Sequence, residues 1–244
     1  LDGTEVAREA SDIMLTDDNF ATIEAAVEEG RGVFENLRKF IVWTLPTNGG
    51  EAFLILIAVL FGLSLPLLPV HILWINMTTA IFLGLMLAFE PKEAGIMSRE
   101  PHQPDAPILD SSLFKRIILV SSLLCIAAFG LFELELIWGA SIEEARTVAV
   151  AVFVVGEAFY LLNCRTLKGS VFDIGLFSNK FIWLGMAVMG LLQLMFTYLP
   201  AMNSWFHTEP IGLFAWIRIL GCGVFISIIV GLEKRWQRTQ NRNI

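Results

Sequence analysis

The sequence predicts an all-α polytopic membrane helix bundle of six transmembrane helices, preceded by a short acidic α/β head. Three observations carry this prediction. The 244 residues are 55% hydrophobic and 17% charged, with a mean hydropathy of +0.66, too little charge to cover a water-soluble surface of this size. Apolar runs of about 20 residues, the length that crosses a bilayer core, recur six times. The formal charge of −7 is unevenly placed: residues 1–35 hold ten acids and two bases, whereas residues 36–244 hold 14 acids and 15 bases and are nearly neutral. No basic patch suggests a nucleic-acid partner.

The head reads as short α/β pieces. Thr4–Ala10 suits a helix capped by Thr4, Asp12 to Thr16 a short strand, and Phe20–Glu29 a helix capped by Asp18 or Asn19. Asp17 and Asp18 read as turn and cap residues. One strand and two helices are too few to enclose a core, so the head is expected to be the last piece of a larger domain. The chain opens mid-pattern at Leu1-Asp2-Gly3 with no initiator Met and no signal peptide, as a fragment would.

The six spans are expected at about 36–62, 68–89, 113–138, 145–163, 179–200 and 211–232. Phe34 to Gly62 can form one helix about 45 Å long at ~1.5 Å per residue, longer than the ~30 Å hydrocarbon core. It is either a stiff coupler from head to membrane or simply a long helix. The connection 90–112 contains Pro91, Pro101, Pro104 and Pro107, four of the nine prolines, and is expected to be extended. If the head is cytoplasmic, nearly all loop Lys and Arg fall on its side and Arg146 falls alone on the other, a strong positive-inside bias. Both termini are then cytoplasmic in a plasma membrane. Trp138, Trp183, Trp205, Trp216 and Trp236 lie near span ends, with Trp74 deeper. Cys125, Cys164 and Cys222 have no metal-binding spacing and read as packing residues. Lys234, Arg235, Arg238 and Arg242 suit a positive-inside anchor or a site for acidic lipids.

An ionisable group deep in a span costs several kcal/mol. The first span holds Asn48 and Glu51, three apart on one face, beside Pro46 and Gly49-Gly50, which loosen the helix. The second holds Asn76 and Thr79, also three apart, and the fourth holds Glu157 with Asn163 one to two turns on. Asn48, Glu51, Asn76, Thr79 and Glu157 together offer carboxylate, amide and hydroxyl oxygens, a set for Ca²⁺, Na⁺ or a carried proton. The same groups could instead be interhelical hydrogen-bond glue. Glu133 and Glu135 are expected at the outer interface, and Gln193 as packing glue.

Several of these stretches resemble the C-terminal part of a type II P-type cation-transporting ATPase, of the calcium/sodium-pump type. The head from Thr4 to Phe20 resembles the end of that family's HAD-like phosphorylation domain. Asn48-Gly49-Gly50-Glu51, Leu73-Trp74-Ile75-Asn76 and Glu90-Pro91 before a Pro-rich loop resemble pump helices five and six and the loop after them. The resemblance covers essentially the whole chain. It implies residues 1–33 as the end of the phosphorylation domain, 34–89 as the stalk and first two spans, 90–112 as a coupling loop, 113–233 as the last four spans, and 234–244 as a basic tail. It implies that ATP and Mg²⁺ act in the intact protein, outside this chain, and that phosphorylation of an aspartate there tilts the stalk. It also places Asn48, Glu51, Asn76, Thr79 and Glu157 at cation-ligand positions. Calcium pumps carry an aspartate directly after the threonine of the second span, whereas this sequence has Ala80. Two membrane carboxylates then face the site, and one divalent ion, Na⁺ or protons balance them better than two Ca²⁺. The chain carries no Asp-Lys-Thr-Gly phosphorylation motif. A second reading is a non-enzymatic six-span channel or membrane accessory protein.

Overall fold

The computed structural model describes residues 5–12, 14–15, 19–93, 95–101, 108–167, 169 and 174–242. The described residues form eight α-helices: α1 (Glu5–Glu9), α2 (Phe20–Phe61), α3 (Pro69–Phe82), α4 (Ser111–Ile137), α5 (Ile142–Cys164), α6 (Lys180–Tyr198), α7 (Pro200–Phe206) and α8 (Leu213–Arg242). Six are long and apolar enough to cross a membrane, counting α3 with the 3-10 turn Gly84–Phe89 that extends it.

The head differs from expectation. No strand occurs among the described residues: Asp12, Met14 and Leu15 are irregular, and Ile13, Thr16, Asp17 and Asp18 lie outside them. Asn19 caps α2 by accepting from the Ala21 amide at 3.0 Å. That helix does not stop at Glu29. It runs unbroken for 42 residues to Phe61, about 63 Å at ~1.5 Å per residue, so the expected head helix and stalk are one rod. Gly30 and Gly32 cost a helix only about 1 kcal/mol each, too little to break one continued on both sides. Gly62, in the left-handed region at φ 63°, ends it.

The other helix ends follow their sequence signals. Pro69 stands in the first turn of α3. Asp110 accepts from Leu113 N at 2.8 Å, Ser141 from Glu144 N at 3.0 Å, and Asn179 from Phe181 N at 3.0 Å; each such cap contributes about 1 kcal/mol.

The second span narrows into a 3-10 turn at Gly84 because the chain there presses on α2: a Cβ on Gly84 would lie 2.5 Å from the Trp43 ring. Asn36 of α2 then holds the exit, donating to the carbonyls of Ala88 at 3.2 Å and Glu90 at 2.9 Å. The loop beyond is not wholly extended. Gly95, at φ 73°, starts a 3-10 turn over Ile96–Ser98, while residues 102–107 lie outside the description.

This loop is strapped along the stalk. Arg31 donates to the carbonyls of Ile96 and Arg99, both at 2.8 Å, and Arg38 to Ile108 O at 3.0 Å. Arg99 pairs with Glu93 at 2.8 Å and with Glu35, and Lys92 with Glu29 at 2.7 Å.

α5 is the central helix, with most of its residues buried and none exposed, packed against α4, α8 and α2. Glu135, in the last turn of α4, is buried and paired with Arg218 of α8, whose guanidinium lies 4.7 Å from the Trp138 ring centroid. Lys234 is not a free basic-tail residue. It is buried and donates to the carbonyls of Asn163 and, at 2.7 Å, Thr166, closing the C-terminal end of α5. A lipid headgroup has no access to it there. Cys125 and Cys164 are buried and all three cysteines are free.

Candidate functional site in the membrane

The site forms where α2, α3 and α5 converge. Pro46 and the glycines after it shape the α2 wall. Pro46 has no N–H, so the Val42 carbonyl one turn earlier loses its helical donor. A Cβ on Gly49 would lie 2.5 Å from Ser121 Oγ, and one on Gly50 3.1 Å from Leu124 Cβ, so only glycine admits α4 this closely. The Ser121 hydroxyl donates to Pro46 O at 3.0 Å.

Of the five residues singled out in the sequence, four converge. Glu51, Thr79 and Glu157 are buried, and Asn76 is half-buried. Asn76 Nδ2 donates to Glu51 Oε2 at 2.7 Å and to Ile72 O at 3.1 Å, which leaves its carbonyl oxygen outside both bonds. The Thr79 hydroxyl donates to Ile75 O at 2.9 Å. Glu157 lies close to Glu51 and to Thr79. Two buried carboxylate oxygens, Glu51 Oε1 and Glu157 Oε2, have no hydrogen-bond partner. A buried acceptor without a donor costs about 1–3 kcal/mol, and more in lipid, where no water replaces the partner. Asn48 stands apart, exposed on α2, with its amide turned back onto Thr44 O at 3.1 Å. No cluster of three or more His, Cys, Asp or Glu occurs among the described residues. The oxygen donors here are therefore two acids supplemented by amide and hydroxyl groups, which suits a hard cation of low charge.

Two pairings around the site were not singled out in the sequence, although Glu90 itself was, as part of Glu90-Pro91. Glu90, at the end of the second span, pairs with Arg165, just past α5. The guanidinium reaches Glu90 Oε1 at 2.7–2.8 Å, Leu176 O at 2.7 Å and Ser178 Oγ at 2.5 Å, with both partners buried. Asn179 adds a bond to Glu90 Oε2 at 3.3 Å. Loop charges such as these carry no spacing signal, because their partners lie 75 or more residues away. The second feature is the pair Trp43 on α2 and Tyr160 on α5. Trp43 Nε1 donates to Glu157 O at 3.1 Å and the Tyr160 hydroxyl to Val42 O at 2.9 Å. Pro46 was the available signal, since a proline implies an orphaned carbonyl four residues earlier.

Residues 64–236 match the family model described as cation transporting ATPase, C-terminus. The probable cation-transporting ATPase F of Mycobacterium tuberculosis is 58% identical over 231 residues, 95% of this chain and 26% of that protein. The cation-transporting ATPase pma1 of Synechocystis is 45% identical over 222 residues, 88% of this chain and 24% of that protein. A calcium-transporting ATPase of Bacillus subtilis is 34% identical over 231 residues, 93% of this chain and 26% of that protein. The chain thus spans about a quarter of the length of these curated relatives.

Proposed function

The chain belongs to the P-type cation-transporting ATPase family, as a C-terminal, multi-pass membrane portion, and on that premise we propose that it carries the ion site of an ATP-driven cation pump. The observation that carries this reading is the Asn76–Glu51 bond at 2.7 Å, beside two buried carboxylate oxygens that have no donor. A cation entering between α2, α3 and α5 would take Glu51 Oε1 and Glu157 Oε2 directly. Asn76 would turn its carbonyl oxygen, and Thr79 its hydroxyl oxygen, toward the ion. Asn48, on the exposed side of the same α2 turn, is proposed to close the site from that side. Two carboxylates match one divalent cation, or one Na⁺ with a proton; two dehydrated Ca²⁺ would leave a net +2 in a medium of low dielectric constant.

Residues 1–33 are proposed as the end of a HAD-like phosphorylation domain. ATP and Mg²⁺ would act in that domain, outside this chain and away from the ion site. The strapped loop and the unbroken 42-residue helix support a continuous mechanical link that turns phosphorylation into alternating access. The positive-inside distribution supports cytoplasmic placement of both termini, and the membrane is proposed to be the plasma membrane.

The test uses the intact protein in membranes, with phosphorylation from ATP titrated against Ca²⁺, Na⁺, K⁺, Mg²⁺, Mn²⁺ and pH. One cation should stimulate phosphorylation, and Glu51→Gln and Glu157→Gln should each abolish that dependence. Unchanged ion affinity in both variants would remove the site assignment.

A further inference from the structure

We propose that Tyr160 and Trp43 are positioning residues that latch the Pro46 hinge of the stalk to the Glu157 turn of α5, so that ligands on the two helices hold a fixed separation while the latch is closed. The proposal rests on the pump reading above and concerns groups that do not themselves touch the ion. Because Pro46 has no N–H, the Val42 carbonyl needs a donor from elsewhere, and in a membrane core that donor must be protein. The Tyr160 hydroxyl supplies it at 2.9 Å. The neighbouring residue on the stalk, Trp43, returns a bond from its indole nitrogen to Glu157 O at 3.1 Å.

Tyr160 lies three residues after Glu157, so one turn of α5 both gives and receives. Trp43, Val42 and Tyr160 are at most 1% exposed. Ser121 of α4 holds the far side of the hinge through Pro46 O. Asn48 and Glu51 follow Pro46 by two and five residues. A tilt of the cytoplasmic part of α2 about Pro46 therefore stretches the Tyr160–Val42 bond while Gly49 and Gly50 stay seated against α4 and Glu51 stays bonded to Asn76 of α3. The hydroxyl matters only because of the proline: an ordinary residue at 46 would satisfy Val42 within the helix.

This dependence gives the test. In the intact protein, the cation concentration giving half-maximal phosphorylation is measured for Tyr160→Phe, Pro46→Ala and the double variant. Losing the hydroxyl should shift that concentration about tenfold in the native background. With Pro46→Ala, which restores the amide at 46, the same loss should change it by less than about twofold. Trp43→Phe, whose bond does not involve Pro46, should keep its effect in both backgrounds. Equal effects of Tyr160→Phe with and without the proline, or no shift at all, overturn the latch. If Tyr160→Phe alone does not accumulate in membranes, Pro46→Ala must restore its accumulation; failure to do so also overturns it. Failure of the pump reading looks different, because the unsubstituted protein then shows no cation-dependent phosphorylation.

Discussion

Asn76 donates one bond into each of two systems, its own helix at Ile72 and the Glu51 carboxylate. It ties the acid of α2 to the amide of α3. Asn76→Ala leaves Glu51 with neither oxygen bonded, so half-maximal phosphorylation should need roughly tenfold more cation. Thr79 invites a milder test. Thr79→Val keeps the shape and removes the hydroxyl, and cation affinity should fall while protein yield is unchanged.

At the scale of elements, the buried Glu90–Arg165 pair ties the exits of the second and fourth spans, the two that carry Asn76, Thr79 and Glu157. Removing one partner strands the other charge. Arg165→Met should destabilise the protein by about 3–5 kcal/mol, whereas the double variant Arg165→Met with Glu90→Leu should recover most of that loss. Thermal aggregation of the detergent-solubilised protein reads both. The straps between loop and stalk are of another kind. Lys92, fully exposed, has its pKa raised chiefly by its hydrogen bond to Glu29. A raised lysine pKa means the contact is present through neutral pH and is lost only as pH rises through the shifted value. Exposed pairs of this sort are weak and salt-screened. Ser141 caps α5 and also donates to Glu209 at 2.6 Å, so Ser141→Ala should cost at least the ~1 kcal/mol of a lost cap, read by the same melts.

For the whole molecule, six crossings would place residues 20–39, residues 95–101 and the end of α8 on one side, and the short α2–α3 and α4–α5 connections on the other. Cysteines introduced at Glu100 and Arg238 should react with an impermeant thiol reagent from the same face, and one at Ser64 from the opposite face. Labelling of all three from one side would break the six-span topology. Arg146, alone among the loop bases expected on the far side, is engaged there, donating to Leu65 O at 3.2 Å.

The six apolar runs and a helix cap at Asp18 or Asn19 were legible in the sequence, because burial in lipid and local capping depend on neighbours a few residues away. So were the polar residues deep in the spans, since each stands out against an apolar background. Tertiary structure decided what those residues do to one another. It joined head helix and stalk into one rod and buried Glu135 against Arg218. It turned Lys234 inward onto the end of α5, and it gathered Glu51, Asn76, Thr79 and Glu157 while leaving Asn48 outside. The physical reason is range. A helix and its caps are fixed by groups one turn apart, but a charge or an orphaned carbonyl inside a membrane must find its partner on another helix, and which helix that is depends on how all of them pack.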